Sequence, residues 1–492
     1  MLVTLVACYF AVTICIGFYA ARRVKNSADY LVAGRSLPLY MNTATVFATW
    51  FGAELILAVS STFLKEGLQG VVGDPFGAAF CLIFVALFLA APYYRLKLMT
   101  VGDFYKKRYN RTVELASAAA ISISYLGWSS ANLVALGIVI HTVSGNAITL
   151  EQGIVLGAVI VGIYTLFGGM WSVAFTDLFQ TVIIVAGLIY IAWMLAGMAG
   201  GVDKVVATAQ ASDRLKFFPG ASLHDWLGFI AAFVTMALGS VAQQDVFQRV
   251  TSARTEKIAR QGTLLGGSLY LLMAFIPMFI AVSALLIDPA MVKQMLSNEN
   301  DFQQVLPTLI LQRTPLFAQV LFFGALLSAI LSTASGTLLA PTAVITENVI
   351  QPLWGHKLSD RKMLVLLRLI LIGFTCCVTL FALQSESSMY QMVQDAYKVT
   401  LVAAFTPLIF GMFWRRATPQ GALLSMACGV VAWQYAEHFM SDALVPPQLV
   451  GLGSAIVGMI VGSLAPTLMG GQGHPEIVAL ARQPEVADNP PA

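Results

Sequence analysis

Ala48-Thr49-Trp50-Phe51-Gly52-Ala53-Glu54-Leu55-Ile56-Leu57-Ala58 lies in the middle of an apolar run from about Asn42 to Phe63, yet it carries an acid, two aromatic rings and a glycine. A run of that length is long enough to cross a bilayer. An ionisable side chain near its midpoint is costly unless it faces water, a partner or a bundle interior, so Glu54 marks a functional position. Gly52 and its polar neighbours predict a break in the helix here, and a broken membrane helix frees carbonyls that can hold a cation. The remaining chain is expected to serve this stretch as scaffold, partner or gate.

The composition supports that reading. Of 492 residues, 58% are hydrophobic and 11% charged, and the mean hydropathy is +0.78, which describes an all-α polytopic membrane protein rather than a soluble enzyme. A net charge of +3 gives no indication of a nucleic-acid partner. The 6 cysteines all fall in apolar runs, so reduced thiols are expected and no disulfide framework. The first apolar segment, Leu2 to Ala21, lacks a basic leader and is followed by Arg22, Arg23 and Lys25, so it reads as a retained span and not a cleaved signal.

Hydropathy windows predict about thirteen transmembrane helices. They lie near residues 2–20, 42–63, 75–95, 113–142, 152–168, 174–198, 223–243, 262–287, 315–347, 362–383, 393–413, 419–436 and 448–470. Alternate loops hold about twenty basic residues against about six on the other side, which makes the basic loops cytoplasmic. An odd number of spans then puts the amino terminus outside and the carboxyl terminus in the cytoplasm of a plasma membrane, the inner membrane if the cell is bacterial. Spans two to six and seven to eleven start from opposite sides, as in a five-plus-five inverted repeat of the leucine-transporter type, with the first helix of each half broken at the solute site. Met236-Ala237-Leu238-Gly239-Ser240-Val241-Ala242-Gln243-Gln244 is the expected counterpart of the Gly52 break. The chain thus divides into a first helix and cytoplasmic loop (1–41), two repeat halves (42–198 and 199–413), two peripheral helices (414–470) and a disordered cytoplasmic tail (471–492), with no soluble catalytic or sensory domain.

The ninth span carries the second signal. In Ala325-Leu326-Leu327-Ser328-Ala329-Ile330-Leu331-Ser332-Thr333-Ala334-Ser335-Gly336-Thr337, small residues at 325, 329, 332 and 336 form one face on which another helix can approach closely. Ser332 and Thr333 bring hydroxyl oxygens to that face. Two hydroxyls plus freed carbonyls suit a monovalent hard cation better than Ca²⁺, which usually recruits carboxylates. The competing reading is that these hydroxyls bond back to their own helix.

Leu31-Val32-Ala33-Gly34-Arg35-Ser36-Leu37-Pro38, Gly168-Gly169-Met170-Trp171-Ser172-Val173-Ala174-Phe175-Thr176-Asp177-Leu178-Phe179-Gln180, Phe247-Gln248-Arg249-Val250 and Ser332-Thr333 together resemble the sodium/solute symporter family, which includes glucose, proline and choline cotransporters. The resemblance runs in order from about Tyr30 to Gly421. It implies a sodium site made by the carbonyls of Ala48, Phe51 and Ala329 and the hydroxyls of Ser332 and Thr333, with Asp177 helping the ion to leave inward. The alternative for Asp177 is a carboxylate capping a cytoplasmic helix end. Two departures affect what can be carried over: Pro341, expected to kink the ninth span, and Trp50, where many relatives have a small or polar residue.

For the solute, Trp50 and Glu54 lie one turn apart and face the same way if the helix persists between them. With Tyr125 and Trp128, and with Gly239 and Gln243 from the seventh span, they form a candidate aromatic and acidic pocket suited to an amine or quaternary ammonium solute, with an amino acid also open. The alternative is aromatic packing and interface anchoring. Ala48-Thr49-Trp50 is similar to the choline-transporting branch of the family. An enzyme is disfavoured: His141, His224, His356, His438 and His474 are scattered, and neither His-Glu-x-x-His nor Gly-x-Ser-x-Gly occurs. The expected activity is sodium-coupled symport of a small organic solute by alternating access, with sodium as coupling ion, membrane lipid as surroundings and no cofactor. A proton-coupled symporter of the same fold and a solute receptor acting through a partner protein are the alternatives.

Overall fold

The structure, a computed structural model, describes residues 2–297, 302–354, 358–385, 387–440, 443–466 and 474–481. Regular structure among them is helical, with one isolated parallel bridge between Leu37 and Ala253. The main helices are α1 (Leu2–Ala21), α2 (Leu39–Trp50), α3 (Glu54–Gly70), α4 (Val72–Leu96), α5 (Val101–Arg108), α6 (Arg111–Val143), α7 (Leu150–Ala199), α8 (Leu223–Gly239), α9 (Gln244–Thr251), α10 (Glu256–Ile287), α11 (Leu316–Val344), α12 (Asp360–Gln384), α13 (Met389–Phe413), α14 (Pro419–Phe439), α15 (Pro447–Leu464) and α16 (Glu476–Ala481).

Among the described residues, ten helices are long and apolar enough to cross a membrane, or eleven if the bent pair α2 and α3 is one span. The thirteen expected from hydropathy are not matched by that count for two reasons. The spans expected at 152–168 and 174–198 are both present: α7 is two helices joined at a kink where Gly169 takes φ 49° and ψ −140°, and its 50 residues are about twice what one bilayer crossing needs. A side chain at Gly169 would meet Tyr30, whose backbone and ring fill the bend, so glycine is required there both for conformation and for space. The span expected at 419–436 is helical, but α14 is not among the ten because Gln434, Glu437 and His438 dilute its apolar character.

Burial separates scaffold from core. In α1 and α12 only 22% of the apolar window is buried, whereas in α6 it is 78%. The first two therefore present apolar faces to lipid and the third lies inside the bundle. Helices α7, α11 and α2 pack on one another, and α6 packs against α7, α11 and α13. Pro341 lies within α11 without ending it; the turns that follow, Ile345–Ile350, widen to π geometry, and the Ile345 amide bonds to the Pro341 carbonyl.

Polar clasps close the end that carries the basic loops. Asn348 donates to Asp103 at 3.0 Å and to Glu114 at 2.8 Å, and accepts from Thr100 at 2.7 Å. Buried Arg108 donates to the carbonyls of Gly411 at 2.8 Å and Trp414 at 3.1 Å, capping the end of α13. The structureless tail expected from 471 is corrected for residues 474–481. The His474 amide bonds to the Arg108 carbonyl at 3.1 Å, and α16 buries Ile477 and Val478 against the bundle. Residues 471–473 and 482–492 lie outside the described residues.

Candidate functional site

The break expected at Gly52 is present. Phe51, at φ −79° and ψ 73°, leaves the helical region, and α2 and α3 meet at 53°. The Gly52 amide, which in a continuous helix would bond the Ala48 carbonyl, donates instead to the Trp50 carbonyl at 2.9 Å. Close approach to α11 explains why position 52 is glycine: a Cβ there would lie 2.8 Å from Thr333 Oγ1. The broken segment and the Ser332-Thr333 pair, far apart in sequence, are therefore neighbours.

The hydroxyls of α11 divide into two groups. Ser328, Ser335, Thr337 and Thr342 bond to carbonyls of their own helix, as Ser and Thr in membrane helices usually do. Ser332 and Thr333 do not. Ser332 Oγ donates to Asp177 Oδ1 at 2.5 Å, which leaves its lone pairs available. Thr333 Oγ1, facing Gly52, is buried without a hydrogen-bond partner. A buried hydroxyl left unpaired costs about 1–3 kcal/mol, and a cation would relieve that cost. Ala329 is buried one turn before Thr333 on the same helix. The alternative of a helix-end cap for Asp177 is corrected: it lies inside α7, fully buried, with Oδ2 unpartnered.

A second cluster adjoins the break. The indole of Trp50 stacks on Tyr397 with centroids 6.3 Å apart and meets Trp128 edge-on at 5.8 Å. Trp128 in turn lies 5.6 Å from Tyr397 and stacks on Tyr125 at 6.0 Å. The acid at this box is Asp245 of α9, which accepts from Trp50 Nε1 at 3.1 Å and from the Tyr125 hydroxyl. Gln243, extended at φ −74° and ψ 141°, breaks the backbone between α8 and α9, and its amide donates to Ser124 at 3.0 Å. Gly239 lets α8 approach the Tyr397 carbonyl, which a Cβ would meet at 2.5 Å.

Glu54 is placed differently from the expectation. The helix does not persist from Trp50, so the two side chains are not stacked on one face; Glu54 is half-buried on α3 beside Asp74, whose carboxylate accepts from the Tyr270 hydroxyl. Asp245 and Tyr397 were not anticipated. The sequence marks them only by neighbourhood, which does not place either beside Trp50: Asp245 precedes the Phe247-Gln248-Arg249 motif by two residues, and Tyr397 adjoins Lys398, which pairs with Asp395 at 2.9 Å.

Residues 30–429 match the sodium:solute symporter family. The chain belongs to that family. Family members are transporters, and this one is a multi-pass membrane protein by its helix content. It is 26% identical over 444 residues to the high-affinity proline transporter PutP of Bacillus subtilis, covering 87% of this chain and 91% of that one. It is 24% identical over 419 residues to high-affinity choline transporter 1 of Drosophila melanogaster, covering 80% of this chain and 64% of the fly protein. A Na⁺-coupled sialic acid symporter in a substrate-bound outward-open state shares the fold, with a TM-score of 0.80 at 18% identity over 94% of this chain and 98% of that one. The nucleobase-cation-symport-1 family transporter Mhp1, in a closed conformation, matches with a TM-score of 0.60 at 13% identity over 88% and 93% of the two chains.

Proposed function

We propose that the protein is a sodium-coupled symporter of a small organic cation, an amine or quaternary ammonium compound, working by alternating access. The observation that carries the sodium assignment is the pair Ser332 and Thr333, hydroxyls that decline their own backbone, the first bonded to Asp177 and the second facing the broken turn at Gly52. Sodium would take the carbonyls of Ala48, Phe51 and Ala329 with these two hydroxyls, an all-oxygen set suited to a hard monovalent ion. Asp177, bonded to Ser332, would receive the ion on its way inward. The two broken helices, α2–α3 and α8–α9, support a five-plus-five inverted repeat, and the basic loops support a cytoplasmic carboxyl terminus.

Trp50 joins the two ligands. It belongs to α2, whose freed carbonyls would hold sodium, and its ring forms a wall of the aromatic box over Asp245. Ordering α2 by sodium therefore orders the box, and a cation in the box orders α2. Such coupling is reciprocal. A cation on these rings would gain about 0.5–2 kcal/mol per good ring contact, with Asp245 adding full charge. The relatives named for choline favour a quaternary ammonium group over the proline side of the family, since four electron-rich rings, Trp50, Tyr125, Trp128 and Tyr397, surround one acid.

The test is uptake into proteoliposomes of labelled choline, betaine, proline and a simple amine, with and without an inward sodium gradient. Sodium-dependent uptake of a cation above the zwitterions is expected; proline preferred over every cation would overturn the solute assignment, and uptake driven only by a proton gradient would overturn the ion.

A further inference from the structure

Arg249 is a buried guanidinium that the sodium and solute sites do not account for. It is 2% exposed on α9. Its backbone is anchored where the Asn42 side-chain amide donates to the Arg249 carbonyl at 2.6 Å, near the start of α2. From there the side chain reaches about two helical turns along α2, where Nε donates to Thr49 Oγ1 at 3.1 Å. Nη1 donates to Gln248 Oε1 at 3.4 Å, and Nη2 is buried without a hydrogen-bond partner. Gly336 of α11 makes room for it, since a Cβ there would lie 2.5 Å from Nη2.

That position is between the two candidate sites. Asp245 lies one turn before Arg249 on α9. Ser332, which holds Asp177, lies one turn before Gly336 on α11. Arg249 is within electrostatic range of both carboxylates. Gly336 lies one turn past Ser332 towards the end of α11 that leads to Asn348, and α9 leads into the basic loop containing Arg254, Lys257 and Arg260, so Arg249 stands on the basic-loop side of the ion site. A buried charge needs a counter-charge, and of the two that Arg249 has in range, Asp177 is one that a sodium ion would share.

Resting on the sodium reading above, we propose that Arg249 is a tethered counter-cation: it closes the basic-loop side of the sodium site, competes with the ion for the field of Asp177, and replaces the ion when sodium departs. This makes it a positioning residue with a particular sign of effect. Removing its charge should make sodium bind more tightly and leave more slowly, whereas loss of a purely structural residue would weaken sodium binding.

The experiment measures the apparent sodium affinity of the full-length protein in detergent, from thermal stabilisation by NaCl at constant ionic strength with KCl and no solute. Arg249→Gln should lower the apparent dissociation constant at least fivefold, Arg249→Lys should restore it towards the wild-type value, and in proteoliposomes Arg249→Gln should show a lower turnover at saturating sodium. Gly336→Ala, which displaces Nη2 without removing the charge from the protein, should also tighten sodium binding and decides the matter if Arg249→Gln does not fold. Unchanged or weaker sodium binding in these variants overturns the counter-cation. A wild-type protein that sodium does not stabilise would instead overturn the sodium reading itself, and the inference with it.

Discussion

Gly52 and Thr333 approach so closely that each limits what the other can be. A methyl group at position 52 would press on Thr333 Oγ1, so Gly52→Ala should separate α2 from α11 and abolish sodium-driven uptake while leaving the protein inserted in the membrane. Thr333→Ala removes the unpaired hydroxyl and should raise the sodium concentration for half-maximal uptake about tenfold, the effect of about 1.4 kcal/mol. Thr333→Ser keeps the oxygen and should stay near wild type. The candidate solute pocket is tested separately. Asp245→Asn should raise the Michaelis constant for a quaternary ammonium solute at least tenfold more than it does for a zwitterion, because only the cation loses its counter-charge; kinetics with choline and betaine check this. The Ser332-Thr333 pair and the Gly52 break were legible in the sequence because each is a local anomaly in an apolar run. Asp245 and Tyr397 were not, because their meeting with Trp50 is made by packing between helices, and no spacing along the chain encodes it. Glu54 misled for a related reason: the break that its neighbourhood predicts interrupts the turn that would have set it on the same face as Trp50.

At the scale of elements, the breaks and clasps matter more than the number of spans. Hydropathy located nearly every helix, since lipid-facing and core-facing membrane helices are alike apolar. It divided α7 in two where Gly168-Gly169 and Ser172 lower the window average, and that is where the backbone kinks at Gly169. The short helix Glu476–Ala481 escaped notice because its apolar face, Ile477 and Val478, is too brief to show a period. Asn348 illustrates what holds the elements together. It ties the end of α11 to α5 and α6 through Asp103, Thr100 and Glu114, and Arg111 bonds its carbonyl at 2.5 Å. Asn348→Ala would leave these groups partly unpaired, and the protein should lose about 2 kcal/mol or more of stability. Thermal unfolding in detergent would register this as a lower midpoint, and an unchanged midpoint would mean that the clasp is solvated.

For the whole molecule, a bundle of lipid-facing helices holds two broken helices against an intact α11, and the two candidate ligands share the first break. Symport follows from that sharing. If sodium and solute each order α2, then neither can be bound without favouring the other, and the conformational equilibrium answers to both. The direct measurement of this claim is the sodium affinity of the purified protein with and without a saturating transported cation, choline being the first to use, read from a sodium titration of Trp fluorescence or thermal stability. Choline should tighten sodium binding, sodium should tighten choline binding by the same factor, and Trp50→Ala should remove the effect in both directions. Sodium and choline that bind independently in the wild-type protein would contradict the claim.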